Sequence, residues 1–359
     1  MEFIRRQTTG RSKAIDVCRG LLFLLMINTH ALTIASVPKD HWLFSDYWLP
    51  NGWATIAFVV LSGYGIGYIF SIREQAGRDA ALISRSKKIL AVMFISNFVF
   101  SALQELLKKH VSTILAPEWW IGFFTLTTEW TISGVLFPTA LVLLCGPAMI
   151  RFCQRALWKT LAALIVARII IALLSSSLAS TDYADYWIFQ LLLFKGFGGF
   201  PVLPFVINGC LGVWLGIFKR FSNSASSVIF AALMLIQLIV YLSSFNPTAS
   251  PWLLLISSLE AIGKFSWVFA LALLLTRFQS FPMTSMIGLI GKFSLGSFIM
   301  HRVFIQGLNF MWNLFGNNLL SPAYYYCLLI ICTLTLTWLF CILREHFPII
   351  NRCFTRLAL

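Results

Sequence analysis

The stretch IDVCRGLLFLLMINTHALTI, residues 15–34, is long and apolar enough to cross a lipid bilayer as a single helix. A transmembrane helix needs roughly 20 apolar residues, and comparable runs recur along the whole chain. They begin near Ile15, Gly52, Ile89, Thr128, Thr160, Phe200, Ala225, Leu253, Ser285 and Pro322. These runs predict an all-α, polytopic integral membrane protein with about ten transmembrane helices. In this interpretation residues 1–359 form a single transmembrane domain.

The composition of the chain agrees with this prediction. Of its 359 residues, 59% are apolar and only 11% are charged, whereas an ordinary soluble domain is about half apolar and about a quarter charged. Soluble enzymes, nucleic-acid-binding modules and secreted disulfide scaffolds are therefore excluded. None of the eight cysteines forms a CxxC pair, so neither a zinc site nor a disulfide framework is predicted.

Lys and Arg residues predict how the helices are oriented. Most basic residues outside the predicted spans fall on one side of the membrane, and only Lys39, Lys108, Lys109 and Lys195 fall on the other. Because cytoplasmic loops are enriched in basic residues, this bias predicts that the N and C termini are cytoplasmic. The net charge of +14 therefore reflects membrane topology.

Several charged residues and histidines lie inside the predicted spans, where each should face a partner or a water-filled cavity. They are Arg19, His30, Glu129, Arg168, Glu260, Lys264, Lys292, His301 and Arg302. Glu260 and Lys264 are four residues apart, which predicts an ion pair on one helix face. Three interpretations of Arg168 remain open: its side chain can snorkel to the interface, pair with Glu129 or Glu260, or line a cavity.

The first predicted helix carries the most informative of these residues. Arg19 and His30 are eleven residues apart, about three helical turns, so the two side chains share a face roughly 16 Å apart along the axis. Asp16 precedes Arg19 by three residues and can hold its guanidinium. Each residue alone also fits a structural role, Arg19 as an interfacial charge and His30 as a packed histidine. The shared face favours a functional site.

The ninth predicted helix contains GKFSLGSFIMHR, residues 291–302, and repeats part of this pattern. Lys292 is expected in its inner half and His301 at nearly the same depth as His30. An imidazole titrates near neutral pH, which suits general acid–base catalysis. Two histidines alone do not indicate a metal site, and no metal is predicted.

These residues resemble the signature of a known family. Arg19, ten intervening residues and His30 are similar to the R-X10-H motif of the acyltransferase-3 superfamily, whose members are membrane enzymes that modify cell-envelope carbohydrates. Four further segments resemble the family in order: FVVLSGYGIGYIF (58–70), SRSKKIL (84–90), FPVLPFVINGCLGVWLGIF (200–218) and IGKFSLGSFIMH (290–301). The fourth helix departs from the family pattern, because Glu129 precedes Trp130 where the family's acidic residue follows the Trp. The first two helices are similar to the branch that succinylates periplasmic glucans.

The resemblance implies acyl transfer from cytosolic acyl-CoA to a hydroxyl of a cell-envelope glycan, at the inner membrane of a bacterium. The implied donor is acetyl-CoA, with succinyl-CoA as the alternative. The implied acceptor is a lipopolysaccharide O-antigen, a capsule or a periplasmic glucan. The expected partners are therefore acyl-CoA, this polysaccharide or glycolipid and the lipid bilayer, with no nucleic acid.

This implied reaction and the residue chemistry together indicate candidate site residues. His30 is the expected base, or carries the acyl group itself, and Asp16, Arg19 and His301 complete the catalytic set. The candidate donor-binding residues, at a basic mouth that suits CoA phosphates, are Arg19, Arg73, Arg85, Lys88, Lys292, Ser62 and Tyr64. His301, Ser62, Tyr64 and Ser294 are candidate partners for the oxyanion. The candidate acceptor-binding residues, which can stack on a sugar or bond its hydroxyls, are Trp48, Trp53, Trp130 and Asp46.

Structural alternatives stay open for most of these candidates. The basic loop residues also fit ordinary cytoplasmic-side charges, and the outer aromatic residues also fit an interfacial belt. Gly63 and Gly67 also fit a pair of small residues that lets two helices approach closely.

Two other function classes compete with the enzyme hypothesis. One is a small secondary transporter or flippase of a glycan or acyl precursor, although no internal repeat of the kind common in transporters is evident. The other is a catalytically inactive binding or sensor protein, for which replacing His30 would leave the phenotype intact.

Overall fold

The computed structural model describes residues 12–44, 49–107, 111–125, 133–194, 201–243, 251–278, 281–315 and 321–356. Within these ranges the regular structure is helical, and no strand is present. The helices are α1 (Lys13–Ile34), α2 (Trp53–Gly65), α3 (Gln75–Leu107), α4 (Val111–Leu115), α5 (Pro117–Thr125), α6 (Ser133–Leu178), α7 (Trp187–Phe189), α8 (Val202–Phe221), α9 (Asn223–Ser243), α10 (Pro251–Arg277), α11 (Pro282–Lys292), α12 (Ser294–Phe315), α13 (Pro322–His346) and α14 (Pro348–Arg356). Short π-helical turns continue α2 over Ile66–Phe70 and α7 over Gln190–Phe194. The prediction of an all-α fold is confirmed.

Eight helices in the described part of the chain are long and apolar enough to span a membrane, or nine if α11 and α12 count as one broken span. Helix α6 has 46 residues, about 70 Å of helix, which is more than twice the hydrocarbon thickness of about 30 Å. Its backbone leaves the helical conformation at Ala156 (φ −155, ψ 73). Counting the halves of α6 separately brings the number to the predicted ten. The protein is a multi-pass membrane protein, whereas the cytoplasmic placement of its termini stays a prediction.

The chain divides into two compact units. The first comprises Met1–Ala54 and Trp267–Leu357, so it contains α1 and α11 to α14. The second comprises Thr55–Ser266.

In the first unit α1 packs against α11, α12 and α13, and two glycines allow a very close crossing of α1 and α11. A Cβ atom added at Gly20 would lie 2.1 Å from the carbonyl oxygen of Ile287, and one added at Gly291 would lie 1.7 Å from that of Asp16. The two backbones are therefore in direct contact. This crossing determines the position of Asp16, one of the predicted site residues.

In the second unit α2 and α8 cross in the same manner. A Cβ atom at Gly63 would lie 1.9 Å from the carbonyl oxygen of Gly209, and one at Gly212 would lie 2.2 Å from that of Val60. Small residues allow such contacts between membrane helices. The predicted role of Gly63 in close helix packing is therefore confirmed.

We expect Gly63→Ala to lower the stability of the second unit by about 1–3 kcal/mol, the usual cost of overpacking. The added methyl group meets rigid backbone and forces α2 and α8 apart. Thermal unfolding of the detergent-solubilised protein measures this loss. Gly77→Ala is the matched control, because a Cβ atom there has no neighbour within 4 Å. Equal unfolding temperatures for the two variants would contradict the prediction.

Candidate active site

Two histidines from different helices of the first unit lie against each other. The rings of His30 on α1 and His301 on α12 stack with centroids 5.5 Å apart and an interplanar angle of 17°. His30 is half-buried, whereas His301 is fully buried. The Phe23 and Phe298 rings form T-shaped contacts with the His301 ring, at centroid distances of 5.2 and 5.7 Å. The structure thus brings together the two imidazoles that the sequence places at one depth.

The hydrogen bonds of His301 involve only one of its ring nitrogens. Its Nδ1 lies 3.3 Å from the carbonyl oxygen of Ser297, one helical turn earlier. Its Nε2 is buried and has no hydrogen-bond partner within the described ranges. The Ser297 hydroxyl donates to the Ile290 carbonyl at 3.2 Å and lies 3.3 Å from the Cys341 sulfur. Ser297 therefore joins α11, α12 and α13 directly beneath the imidazole.

Two hydrogen bonds hold the segment of α1 that carries His30. The hydroxyl of Tyr326 donates to Asn28 Oδ1 at 2.5 Å, and the hydroxyl of Thr29 donates to Asn51 Oδ1 at 2.6 Å. Sequence reasoning did not identify Asn28 or Tyr326, which are 298 positions apart. The sequence offers one indication of Asn28: it is an asparagine inside an apolar span, where its side-chain amide needs a hydrogen-bond partner.

At the other end of α1, Asp16 and Arg19 form the predicted ion pair, with Arg19 Nη1 3.5 Å from Asp16 Oδ1. A cavity of about 280 Å³ opens beside Asp16. Its lining combines two lysines, one carboxylate and three hydroxyls with apolar groups: Lys13, Asp16, Val17, Thr276, Thr284, Ser285, Gly288, Leu289 and Lys292. The lining is mostly apolar by area, and its charged side chains include more positive than negative groups.

Lys292 lies both at this cavity and at an ion pair. Its Nζ is 2.6 and 2.5 Å from the two carboxylate oxygens of Glu345 on α13. The neighbouring Arg344 guanidinium lies 4.5 Å from the centre of the Phe293 ring. Glu345 was not among the predicted residues, because a partner 53 positions away leaves no pattern in the sequence.

The prediction of one continuous ninth span starting near Ser285 is wrong. Helices α11 and α12 meet at Phe293, which has a non-helical backbone (φ −104, ψ 32), and their axes differ by 97°. The backbone contact of Gly291 with Asp16 directs α11 across α1, while α12 carries His301 to His30. The two imidazoles meet because α12 begins anew at Ser294.

Five of the predicted donor-binding residues belong to the second unit. The guanidinium carbons of Arg73 and Arg85 lie 4.5 and 5.1 Å from the centre of the same Phe70 ring, and Lys88 is exposed. The Ser62 hydroxyl donates to the carbonyl of Phe58 at 2.8 Å, within its own helix. The shared aromatic contact makes Arg73 and Arg85 neighbours, and their donor-binding role stays a prediction.

Tyr64 is buried in an aromatic cluster of the second unit. Its ring stacks on Tyr68 at 5.7 Å and contacts Phe265 at 5.4 Å and Phe230 at 6.5 Å. This packing joins α2, α9 and α10. A role of Tyr64 in donor binding stays a prediction.

Of the predicted acceptor-binding residues, Trp53 begins α2 and is half-buried. Asp46, Trp48 and Trp130 lie outside the described residues, as does Glu129. Their predicted roles therefore stay predictions.

The charges in the middle of the second unit are partly paired. Lys264 Nζ lies 2.6 Å from Glu260 Oε1, so the predicted ion pair is confirmed. The Nε of Arg168 is buried without a hydrogen-bond partner among the described residues. Of the partners considered for Arg168, Glu260 interacts with it electrostatically while also pairing with Lys264, and Glu129 lies outside the described residues.

The fold defines a multi-pass membrane protein, and its first unit holds an Arg and two histidines. Comparison with known families specifies that class. A family model described as an acyltransferase domain, that of the acyltransferase-3 family, matches residues 12–342. The chain therefore belongs to this family and is a membrane acyltransferase. A search of curated proteins found no match.

Proposed function

We propose that this protein transfers an acyl group from cytosolic acyl-CoA to a hydroxyl of a cell-envelope glycan, at the inner membrane of a bacterium. The observation that carries the proposal is the arrangement of the first unit. A cavity lined in part by charged side chains lies with Arg19 near one end of α1, and the His30–His301 pair lies about three turns further along the same helix. A donor with a charged end and a distant reactive end fits this arrangement.

The cavity beside Asp16 suits the phosphate-bearing end of such a donor. Lys13 and Lys292 place ammonium groups there, that of Lys292 being also paired with Glu345, and Thr284 and Ser285 supply hydroxyl donors. Ammonium and guanidinium groups form short, strong hydrogen bonds with phosphate oxygens. A volume of about 280 Å³ is at the lower limit for a drug-sized ligand. It therefore holds only one end of acyl-CoA, and the rest of the donor extends along α1.

Arg19 lies between the cavity and the histidines and is held by Asp16. Its side chain is 30% exposed, so a donor phosphate can reach the guanidinium. The planar fork of an Arg can bind two phosphate oxygens at once. The pantetheine arm then spans the roughly 16 Å between Arg19 and His30.

The transfer itself needs one base. His30 accepts the proton of the acceptor hydroxyl, and the hydroxyl oxygen attacks the thioester carbonyl carbon. The tetrahedral intermediate collapses by breaking the carbon–sulfur bond. The CoA thiolate takes up the proton from the His30 imidazolium, and the acylated sugar is released.

We expect Arg19→Ala to raise the KM for acetyl-CoA roughly 10- to 100-fold, because a hydrogen bond to a charged group is worth about 1.5–3 kcal/mol. The kcat should change much less, because Arg19 is distant from the reacting carbonyl. Free CoA release by the purified protein in lipid vesicles, with extracted envelope polysaccharide as acceptor, measures both constants.

Arg352→Ala is the matched control, since Arg352 is exposed on α14. An unchanged KM in Arg19→Ala would remove Arg19 from the donor site. Movement of glycan or acyl groups across the vesicle membrane without CoA release would favour the transporter hypothesis.

A further inference from the structure

We infer that His301 binds a second hydroxyl of the acceptor through its Nε2, so that the acceptor carries a hydroxyl adjacent to the one that is acylated. This inference rests on the proposed function and specifies its acceptor. The inference depends on three observations: the residues around His301, the atom that its Nδ1 contacts, and the distance between the His301 and His30 rings.

The contact at Nδ1 determines which ring nitrogen carries the proton. A backbone carbonyl oxygen can only accept a hydrogen bond, so Nδ1 must donate to the Ser297 carbonyl at 3.3 Å. A neutral imidazole protonated at Nδ1 has a lone pair at Nε2. His301 therefore presents a hydrogen-bond acceptor on its other side.

This tautomer changes the chemistry that His301 can perform. A bare Nε2 cannot donate to the oxyanion of a tetrahedral intermediate, the role that the sequence suggested for it. It can accept a hydrogen bond from a hydroxyl. Because buried polar groups are almost always hydrogen-bonded, the fully buried Nε2 of His301 calls for a donor from outside the described chain. Phe23 and Phe298, which contact the ring edge-on, have no group that could donate.

The distance to His30 specifies where that donor lies. The two rings are 5.5 Å apart, centre to centre, and nearly parallel. Each can accept one O–H group at about 2.8 Å, and hydroxyls on neighbouring carbons of one sugar ring are close enough to reach one imidazole each. The hydroxyl bound by His30 loses its proton and is acylated, while the hydroxyl bound by His301 keeps its proton and orients the sugar.

Ser297 and its neighbours hold the His301 ring in this state. The Ser297 hydroxyl is bonded to Ile290 of α11 and lies against Cys341 of α13. The Ser297 carbonyl is therefore held where three helices meet. The packing of these three helices thus fixes which nitrogen of His301 carries the proton.

The test compares acceptors that differ by one hydroxyl. The full-length protein in lipid vesicles is given acetyl-CoA and the methyl pyranosides of glucose, galactose and rhamnose, each with matched forms in which one hydroxyl is replaced by hydrogen. We expect removal of the hydroxyl next to the acylated position to lower kcat/KM roughly tenfold in the wild type. In His301→Ala we expect kcat/KM for the complete sugar to be lower than in the wild type by a similar factor. Removing the adjacent hydroxyl should then have no further effect on kcat/KM.

Substitutions that mimic single ring nitrogens distinguish binding from packing. The Gln amide oxygen reaches the position of Nε2, so His301→Gln should keep part of the preference for the adjacent hydroxyl, whereas His301→Asn should lose it. His346→Ala, at an exposed histidine of α13, should match the wild type. Acylation that ignores the adjacent hydroxyl, or a preference unchanged in His301→Ala, would overturn the inference and leave the acyltransfer intact.

A second measurement does not depend on activity. The chain has five histidines, so ¹⁵N spectra of histidine-labelled protein can be assigned by single substitutions. A proton on Nδ1 of His301 supports the inference, and a proton on Nε2 overturns it. Absence of transfer from acetyl-CoA or succinyl-CoA to any acceptor would count against the proposed function, and the spectrum would still decide the state of His301.

Discussion

Replacing His30 with alanine is expected to lower the rate of acyl transfer by about 10²- to 10⁴-fold, the usual contribution of a positioned general base. The half-buried ring of His30 stacks on His301 and makes no hydrogen bond that links helices among the described contacts. The variant should therefore fold as the wild type does. Release of free CoA in the presence of a glycan acceptor measures the rate, and thermal unfolding measures stability.

The control for this experiment is His346→Ala, which removes an exposed imidazole from the end of α13 and should leave turnover unchanged. Undiminished turnover in His30→Ala would remove His30 from the reaction. Rapid quenching with labelled acetyl-CoA and no acceptor tests the base role separately. Label that stays on the wild-type protein but not on His30→Ala would make His30 the nucleophile.

Substitution of Gly291 by alanine is expected to have the largest effect on the first unit. The added Cβ atom would lie 1.7 Å from the carbonyl oxygen of Asp16 and 2.8 Å from the amide nitrogen of Gly20. Neither backbone atom can move without separating α1 from α11. We expect a loss of about 3 kcal/mol of stability, the upper part of the overpacking range, together with weaker use of acetyl-CoA, because Asp16 and Lys292 line the cavity at this crossing.

Gly307→Ala, on α12 of the same unit, provides a matched control. A Cβ atom at Gly307 has no neighbour within 4 Å, and this glycine does not line the cavity. Thermal unfolding and the KM for acetyl-CoA should therefore change little in this variant. If Gly291→Ala unfolds and binds donor like Gly307→Ala, the close crossing does not support the site.

Local spacing explains why part of the site could be predicted. Arg19 and His30 share a face because eleven residues make about three helical turns. The Asp16–Arg19 and Glu260–Lys264 pairs follow from spacings of three and four residues on one helix. Such relations depend only on helix geometry, which is the same in every helix.

Contacts between distant segments could not be predicted in the same way. Lys292 pairs with Glu345, and Tyr326 bonds to Asn28, across separations of 53 and 298 residues. The sequence did not predict the break between α11 and α12 at Phe293, because the residues around it are as apolar as those of a continuous span. Hydropathy measures how favourably a segment moves from water into lipid, and it gives no information about the direction of a helix axis.

The sequence by itself determined that this chain is a helical membrane protein, because apolar runs of bilayer length must form helices where no water can bond the backbone. It also determined that Arg19 and His30 lie on one face of α1. Only the tertiary structure decided that His301 stacks on His30, that the Ser297 carbonyl faces Nδ1 of His301, and that a cavity opens beside Asp16. These features arise where α1, α11, α12 and α13 pack together. How these helices pack depends on where small residues allow two helix backbones to come into contact.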